Sequence, residues 1–130
     1  MIVVDTSVWI AARRQKRVAD TLRSLLEADE VALALPVRLE LLAGIPAYQR
    51  RDFVKTYGAL PQLHPTKETW LALPAWIERA TDAGERFSIP DLLIASSTAG
   101  IGGLVWSLDK DFERMEKLGF VSLYDPPDMQ

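Results

Sequence analysis

Short apolar runs with no polar alternation recur along this chain, separated by longer stretches of helical period, and few folds accept that pattern. Residues 2–4, 31–35 and 104–106 are apolar throughout, as strands buried on both faces of a parallel sheet are. Val18, Leu22, Leu25 and Leu26 follow an i, i+4, i+7, i+8 spacing, which predicts a helix to about residue 28. Residues 7–12 read as a short helix before it. Pro36 fits a first helical turn and Gly44 a stop. Another helix is expected over 47–57, between Pro46 and Gly58. Thr66 is a natural N-cap for a long helix to about Ala83, with Gly84 as its end. Pro74 inside that helix is expected to kink or break it. A further helix opens at Ser88 or Ile89 with Pro90 in its first turn and ends at Gly100 or Gly102. The last helix runs over 112–118, ending at Gly119. Residues 60–63 make a weak or edge strand because of Pro61 and Pro65, and Phe120, Val121 and Leu123 supply a final one. This order predicts an α/β fold: one domain over residues 1–125, with a central parallel sheet of about five strands flanked by helices. Residues 126–130 are expected to form a loose tail.

With 130 residues, 48% of them hydrophobic, the chain is long enough for one well-filled core. It has no cysteine, which excludes disulfides, thiolate zinc sites and cysteine nucleophiles and suits a reducing compartment. Residues 92–108 carry no charge, but the stretch falls short of the ~20 residues a spanning helix needs and is interrupted by Ser96, Ser97, Thr98 and three glycines. Met1-Ile2-Val3-Val4-Asp5 lacks the basic-then-apolar layout of a signal peptide. A cytoplasmic protein without a membrane span is therefore expected. The net charge of −3 argues against bulk electrostatic binding of nucleic acid. Two basic runs qualify this: Arg13, Arg14, Lys16 and Arg17, and then Arg50 and Arg51. Each alone fits a solvated face.

Chemistry concentrates in four acids placed beside the apolar runs: Asp5, Glu40, Asp91 and Asp109. In open α/β sheets the ligand crevice lies beyond the carboxyl ends of the strands, and Asp5 and Asp109 follow the first and fourth of them. Each has an equal reading as the N-cap of the next helix. Asp91 lies in a first helical turn, where it would complement the helix dipole, yet its i+4 and i+7 neighbours, Ala95 and Thr98, are small. Glu40 points about 200° away from Arg38 around its helix. If Arg38 faces water, Glu40 faces inward, where a carboxylate needs an arginine or a cation. Clustered carboxylates raise one another's pKa values, and a Mg²⁺ or Mn²⁺ ion relieves that cost. Asp111 is a fifth candidate, less favoured than Asp109. Thr6, Ser7 and Ser107 are either accessory hydroxyls that hold water at such a site or simple caps. His64, the single histidine, reads as structural. Trp9, Trp70, Trp76 and Trp106 read as core or interface residues, and the apolar surface around Trp70 and Trp76 suggests a protein contact. Nucleophilic triads and dinucleotide fingerprints have no support. Asp5 lacks the adjacent acid of a phospho-accepting receiver, and Ser7 stands where a haloacid-dehalogenase-type phosphatase needs its second Asp.

Four segments together resemble a PIN domain, and specifically a VapC-type toxin of a toxin–antitoxin pair. They are Ile2-Val3-Val4-Asp5-Thr6-Ser7-Val8-Trp9, Pro36-Val37-Arg38-Leu39-Glu40-Leu41-Leu42-Ala43-Gly44, Ile89-Pro90-Asp91-Leu92-Leu93-Ile94-Ala95 and Trp106-Ser107-Leu108-Asp109-Lys110-Asp111-Phe112. They stand in the family's order across nearly the whole chain. Ser107 replaces a frequent Thr and keeps the hydroxyl. The resemblance implies that Asp5, Glu40, Asp91 and Asp109 are the catalytic and metal-holding acids of a Mg²⁺- or Mn²⁺-dependent endoribonuclease. It leaves the role of Asp111 open. It also implies a structured RNA substrate such as tRNA or rRNA, a VapB-like antitoxin and a homodimer. Arg13, Arg14, Lys16 and Arg17, just past the Asp5 turn, would then contact phosphates. The alternative is a catalytically silent PIN fold that binds RNA or protein.

Overall fold

The computed structural model describes residues 1–127. Of the tail expected at 126–130, residues 128–130 lie outside the described residues. The elements follow in the order β1 (Ile2–Val4), α1 (Thr6–Ala11), α2 (Lys16–Glu27), β2 (Val31–Ala34), α3 (Leu35–Ala43), a 3₁₀ turn (Ala47–Gln49), α4 (Arg50–Gly58), β3 (Gln62–Leu63), α5 (Lys67–Asp82), α6 (Ile89–Gly100), β4 (Leu104–Trp106), α7 (Lys110–Lys117) and β5 (Ser122–Leu123). The five strands form one sheet in the order β3-β2-β1-β4-β5, and every pair is parallel. No helix among the described residues is long and apolar enough to cross a membrane.

This order has one consequence for chemistry. The chain builds outward from β1 through β2 to β3, then returns to the other side of β1 to lay down β4 and β5. The switch point is the β1–β4 boundary, where the connections leave in opposite directions and open a crevice. Ile2 pairs with Leu104, Val3 with Val105 and Val4 with Trp106. One further bond, from Asp5 N–H to Trp106 O at 2.9 Å, extends that pairing past the strand end. Val3, Val4, Leu33, Val105 and Trp106 on the strands, with Val8, Ile94, Phe112 and Met115 on the helices, are all buried, so both strand ends rest on a packed core and cannot drift.

Differences from the expected boundaries have local causes. Ala34 takes extended geometry as the N-cap of α3, so Leu35 joins the helix rather than the strand. Residues 47–57 are divided into a 3₁₀ turn and α4. The side chain of Asp109 accepts from Asp111 N–H and starts α7 two residues earlier than expected. Gly84 and Gly119 end their helices with φ of +76° and +77°, a conformation that favours glycine. Pro74 does not break α5, which runs unbroken from Lys67 to Asp82. It sits on the exposed side of the helix, where the backbone carbonyl that loses its partner to proline is accessible to water.

Candidate metal centre

Four elements deliver side chains to one cavity of about 340 Å³ at the switch point, lined by Asp5, Thr6, Ser7, Glu40, Ser88, Pro90, Asp91 and Asp109. Asp5 comes from the end of β1, Glu40 from the second half of α3, Asp91 from the first turn of α6 and Asp109 from the turn after β4. All four acids singled out in the sequence therefore share one space, although they are as much as 104 positions apart (109 − 5).

Asp5 is the most enclosed acid, only 6% exposed. It occupies the N-cap position of α1 but makes no side-chain capping bond. Its Oδ2 instead accepts from Ser7 Oγ and Ser107 Oγ, each at 2.8 Å. Ser7 Oγ also accepts from Leu108 N–H at 3.0 Å, and Ser107 Oγ accepts from Asp109 N–H at 2.9 Å. The two hydroxyls thus anchor one Asp5 oxygen and shape the turn that carries Asp109. Asp109 does act as a cap, since its Oδ1 accepts from Asp111 N–H at 2.9 Å. Capping uses one of its oxygens, so the two readings of this residue are compatible.

Two carboxyls are pushed toward the neutral form. Asp91 has a pKa raised to about 6, chiefly by burial. Its bond with Ser88 works against that rise, while the charges of Asp5, Asp109 and Glu40 add to it. The Glu40 pKa is raised first by partial loss of water around its carboxyl at the cavity edge and second by Asp5. The Thr6 hydroxyl eases the Glu40 shift by its proximity, although the two do not form a well-aligned hydrogen bond.

Glu40 does not face the interior as helix geometry suggested. It is exposed at the cavity rim, and Arg38 is the more enclosed of the two, donating from Nη1 to Gln62 Oε1 at 3.2 Å. A partner on β3, 24 positions away, draws Arg38 out of solvent. Asp111, the fifth candidate, lies beside two of the other acids. One carboxylate oxygen each from Asp91, Asp109 and Asp111 lies within 4.8 Å of the others, although Asp111 does not line the cavity. Sequence reasoning missed Ser88 as a site residue. Its Oγ accepts from Asp91 N–H at 3.2 Å, and the signal was its Ser-x-x-Asp spacing.

The donor set suits a hard divalent cation. Every polar side chain lining the cavity is a carboxylate or a hydroxyl, the oxygen chemistry that Mg²⁺ and Mn²⁺ prefer. Thr6 Oγ1 is buried and has no hydrogen-bond partner, an orphan of the kind that a water inside the cavity would satisfy.

Arg13, Arg14, Lys16 and Arg17 are exposed and do not line this cavity. Lys16 pairs with Asp20 at 2.7 Å. Arg13 borders a separate hollow with Tyr48, Gln49, Asp52 and Tyr57.

Comparison with known proteins gives the same outline. The sequence matches the family described as PIN domain over residues 2–118. No curated protein matches it significantly. Among solved structures it is similar to FitAB bound to an IR36 DNA fragment, with 18% identity, 97% of this chain and 95% of that chain covered, and a TM-score of 0.77. It is also similar to VapBC2 from Rickettsia felis bound to a DNA fragment from their promoter, with 14% identity, 95% and 98% coverage and a TM-score of 0.74. For VapBC-1 from nontypeable Haemophilus influenzae the values are 20% identity, 96% and 98% coverage and 0.75. At these identities the likeness is one of fold.

Proposed function

This chain belongs to the PIN-domain family, and from that premise we propose that it is a VapC-type toxin, an endoribonuclease dependent on Mg²⁺ or Mn²⁺. The observation that carries the proposal is the convergence of Asp5, Glu40, Asp91 and Asp109 on one cavity. Four carboxylates in one space repel one another, and the raised Asp91 and Glu40 pKa values express that cost together with burial. Such an arrangement persists where a ligand of opposite charge repays it.

Asp5, Asp91 and Asp109 would hold the metal, with Glu40 completing the set from the rim. When bound, the cation would activate water and stabilise negative charge developing on the scissile phosphodiester. The chain's own residues prepare that arrangement. Ser7 and Ser107 fix one oxygen of Asp5, which leaves the other free to face the cavity. Ser88 holds the first turn of α6 and with it Asp91. Thr6 Oγ1 would orient a water molecule. Glu40, at the exposed rim, would accept a proton from water there.

The substrate would be a structured RNA such as tRNA or rRNA. Acids alone repel a polyanion, so cation binding precedes productive contact. Arg13, Arg14, Lys16 and Arg17 are exposed and would hold flanking phosphates. The similarity to FitAB and VapBC structures supports a VapB-like antitoxin as partner. The exposed Trp70, Leu71 and Ile77 of α5 support a homodimer. The protein would work in the cytoplasm.

The test is cleavage of total cellular RNA by purified protein with Mg²⁺, Mn²⁺ or EDTA, beside an Asp5→Asn/Asp91→Asn variant. Discrete fragments that need metal and disappear in the variant are expected. A folded wild type that leaves RNA intact with either metal would contradict the enzymatic reading and favour a silent binding module.

A further inference from the structure

Asp111 stands apart from the other acids because a cation already holds it. Arg114, one turn further along α7, pairs through Nη2 with Asp111 Oδ1. Through Nε it also donates to Glu85 Oε2 at 2.9 Å, and its guanidinium lies 5.8 Å from the centre of the Phe87 ring. Glu85 and Phe87 belong to the segment that leads directly to Ser88 and Asp91. Arg114 therefore joins the turn that carries Asp109 and Asp111 to the segment that delivers Asp91.

The charges explain why an arginine stands there. Three carboxylate oxygens, one each from Asp91, Asp109 and Asp111, gather within 4.8 Å of one another, and their repulsion needs a counter-charge. A guanidinium meets two carboxylates at once through its planar fork. The Arg114 side chain is 40% exposed and that of Asp111 31%, so solvent screens the pair and makes it readily exchangeable. A divalent cation entering between Asp91 and Asp109 would compete with Arg114 for the Asp111 carboxylate.

We propose that Arg114 is a latch on the metal centre: it holds Asp111 and yields that carboxylate to an incoming divalent ion, with Glu85 receiving the released guanidinium. This rests on the metal-dependent reading given above. Arg114 is then a positioning residue, and Asp111 a reserve ligand. The relation between Arg114 and its two acids sets opposite signs for their variants. Loss of Arg114 removes the competitor. Loss of the Glu85 charge leaves the guanidinium wholly with Asp111 and strengthens the competitor. A purely structural clip would behave differently, because breaking either contact would loosen the same corner.

Calorimetric titration of the full chain with Mn²⁺ tests this. Arg114→Met should bind Mn²⁺ about five-fold more tightly than wild type, and Glu85→Gln about three-fold more weakly. Arg114→Lys, which keeps the charge but loses the fork, should fall between wild type and Arg114→Met. In an Asp111→Asn background the gain from Arg114→Met should shrink. Thermal melts in EDTA identify a variant that has not folded, and Glu85→Gln then carries the test alone. Shifts of the same sign in Arg114→Met and Glu85→Gln, or no shift in a folded Glu85→Gln, would overturn the latch and leave the metal centre standing. A wild type that binds no Mn²⁺ would overturn both.

Discussion

The two ends of α6 each border a cavity, and they differ in kind. At its N-terminus Ser88, Pro90 and Asp91 line the acidic space of about 340 Å³. Toward its C-terminus Ser96, Ser97, Ala99 and Gly100 line a larger one of about 530 Å³, shared with Leu63, His64, Glu68 and Trp76. Each cavity borders a residue with a buried, unpartnered hydroxyl, Thr6 at the first and Ser97 at the second. Of these two, the second is the larger, although the hollow beside Arg13, at about 670 Å³, exceeds both. The first has what chemistry requires: acids from four elements, mutual repulsion, and hydroxyls that fix one carboxylate oxygen. In the second, His64 and Glu68 are the titratable groups, and the surroundings are largely apolar or small side chains. Convergent charge at a switch point, and not volume, is what points to the acidic cavity.

The sharpest way to break this contrast is to remove charge from one cavity and polarity from the other. Asp5→Asn or Asp91→Asn should lower RNA cleavage by about 10²–10³-fold, while His64→Gln should leave it within about two-fold, measured as single-turnover rates. Equal losses at both ends would erase the distinction.

The acidic side of this contrast was legible in the sequence, for a physical reason. Asp5 directly follows an unbroken apolar run, and Asp109 stands two residues past Ser107, the first polar residue after another; a parallel strand buried on both faces ends where its first polar residue appears. Asp91 was visible because Pro90 marks a first helical turn. Glu40 was legible as an acid of the cavity but not as an exposed one. Its orientation was argued from Arg38 facing water, and Arg38 instead reaches Gln62 on a neighbouring strand. The pairing of Asp111 with Arg114 has i, i+3 helical spacing and is readable in principle. The hold of Arg114 on Glu85, 29 positions away, is tertiary and leaves no local trace. Neither does the position of Pro74 on a wet face of α5, which lets that helix continue.

A smaller effect separates the hydroxyls that position the acids. Ser107→Ala removes the 2.8 Å bond to Asp5 and the bond that holds Asp109 N–H. It should weaken Mn²⁺ binding about ten-fold without a matching loss of melting temperature. At the other end, Ser97→Ala removes a buried hydroxyl with no partner and improves helix propensity. It should raise stability by about 1 kcal/mol in denaturant titrations and leave cleavage unchanged. A destabilised Ser97→Ala would show that this hydroxyl has a partner of its own.

The smallest effect is on pH. The Asp91 pKa is raised from 3.8 to about 6 in the folded chain, so the folded state binds the extra proton between those values. Its contribution to stability is full below the unfolded pKa and is lost as pH rises through about 6. Asp91 is partly solvated, and after screening the change should stay under about 1 kcal/mol. Asp91→Asn should flatten the metal-free stability profile across that window. Protons and cations compete for the same oxygens, so wild-type Mn²⁺ affinity should fall as pH drops below about 6.

The proposed function requires carboxylates from separate elements to hold one divalent ion at the β1–β4 switch point. Crystals grown with Mn²⁺ and measured for anomalous scattering test it most directly. An anomalous peak is expected in the acidic cavity, within ligand distance of Asp5, Asp91 and Asp109, and none beside His64 and Glu68. A peak at the second cavity, or an acidic cavity without manganese at millimolar concentration and neutral pH, would contradict it.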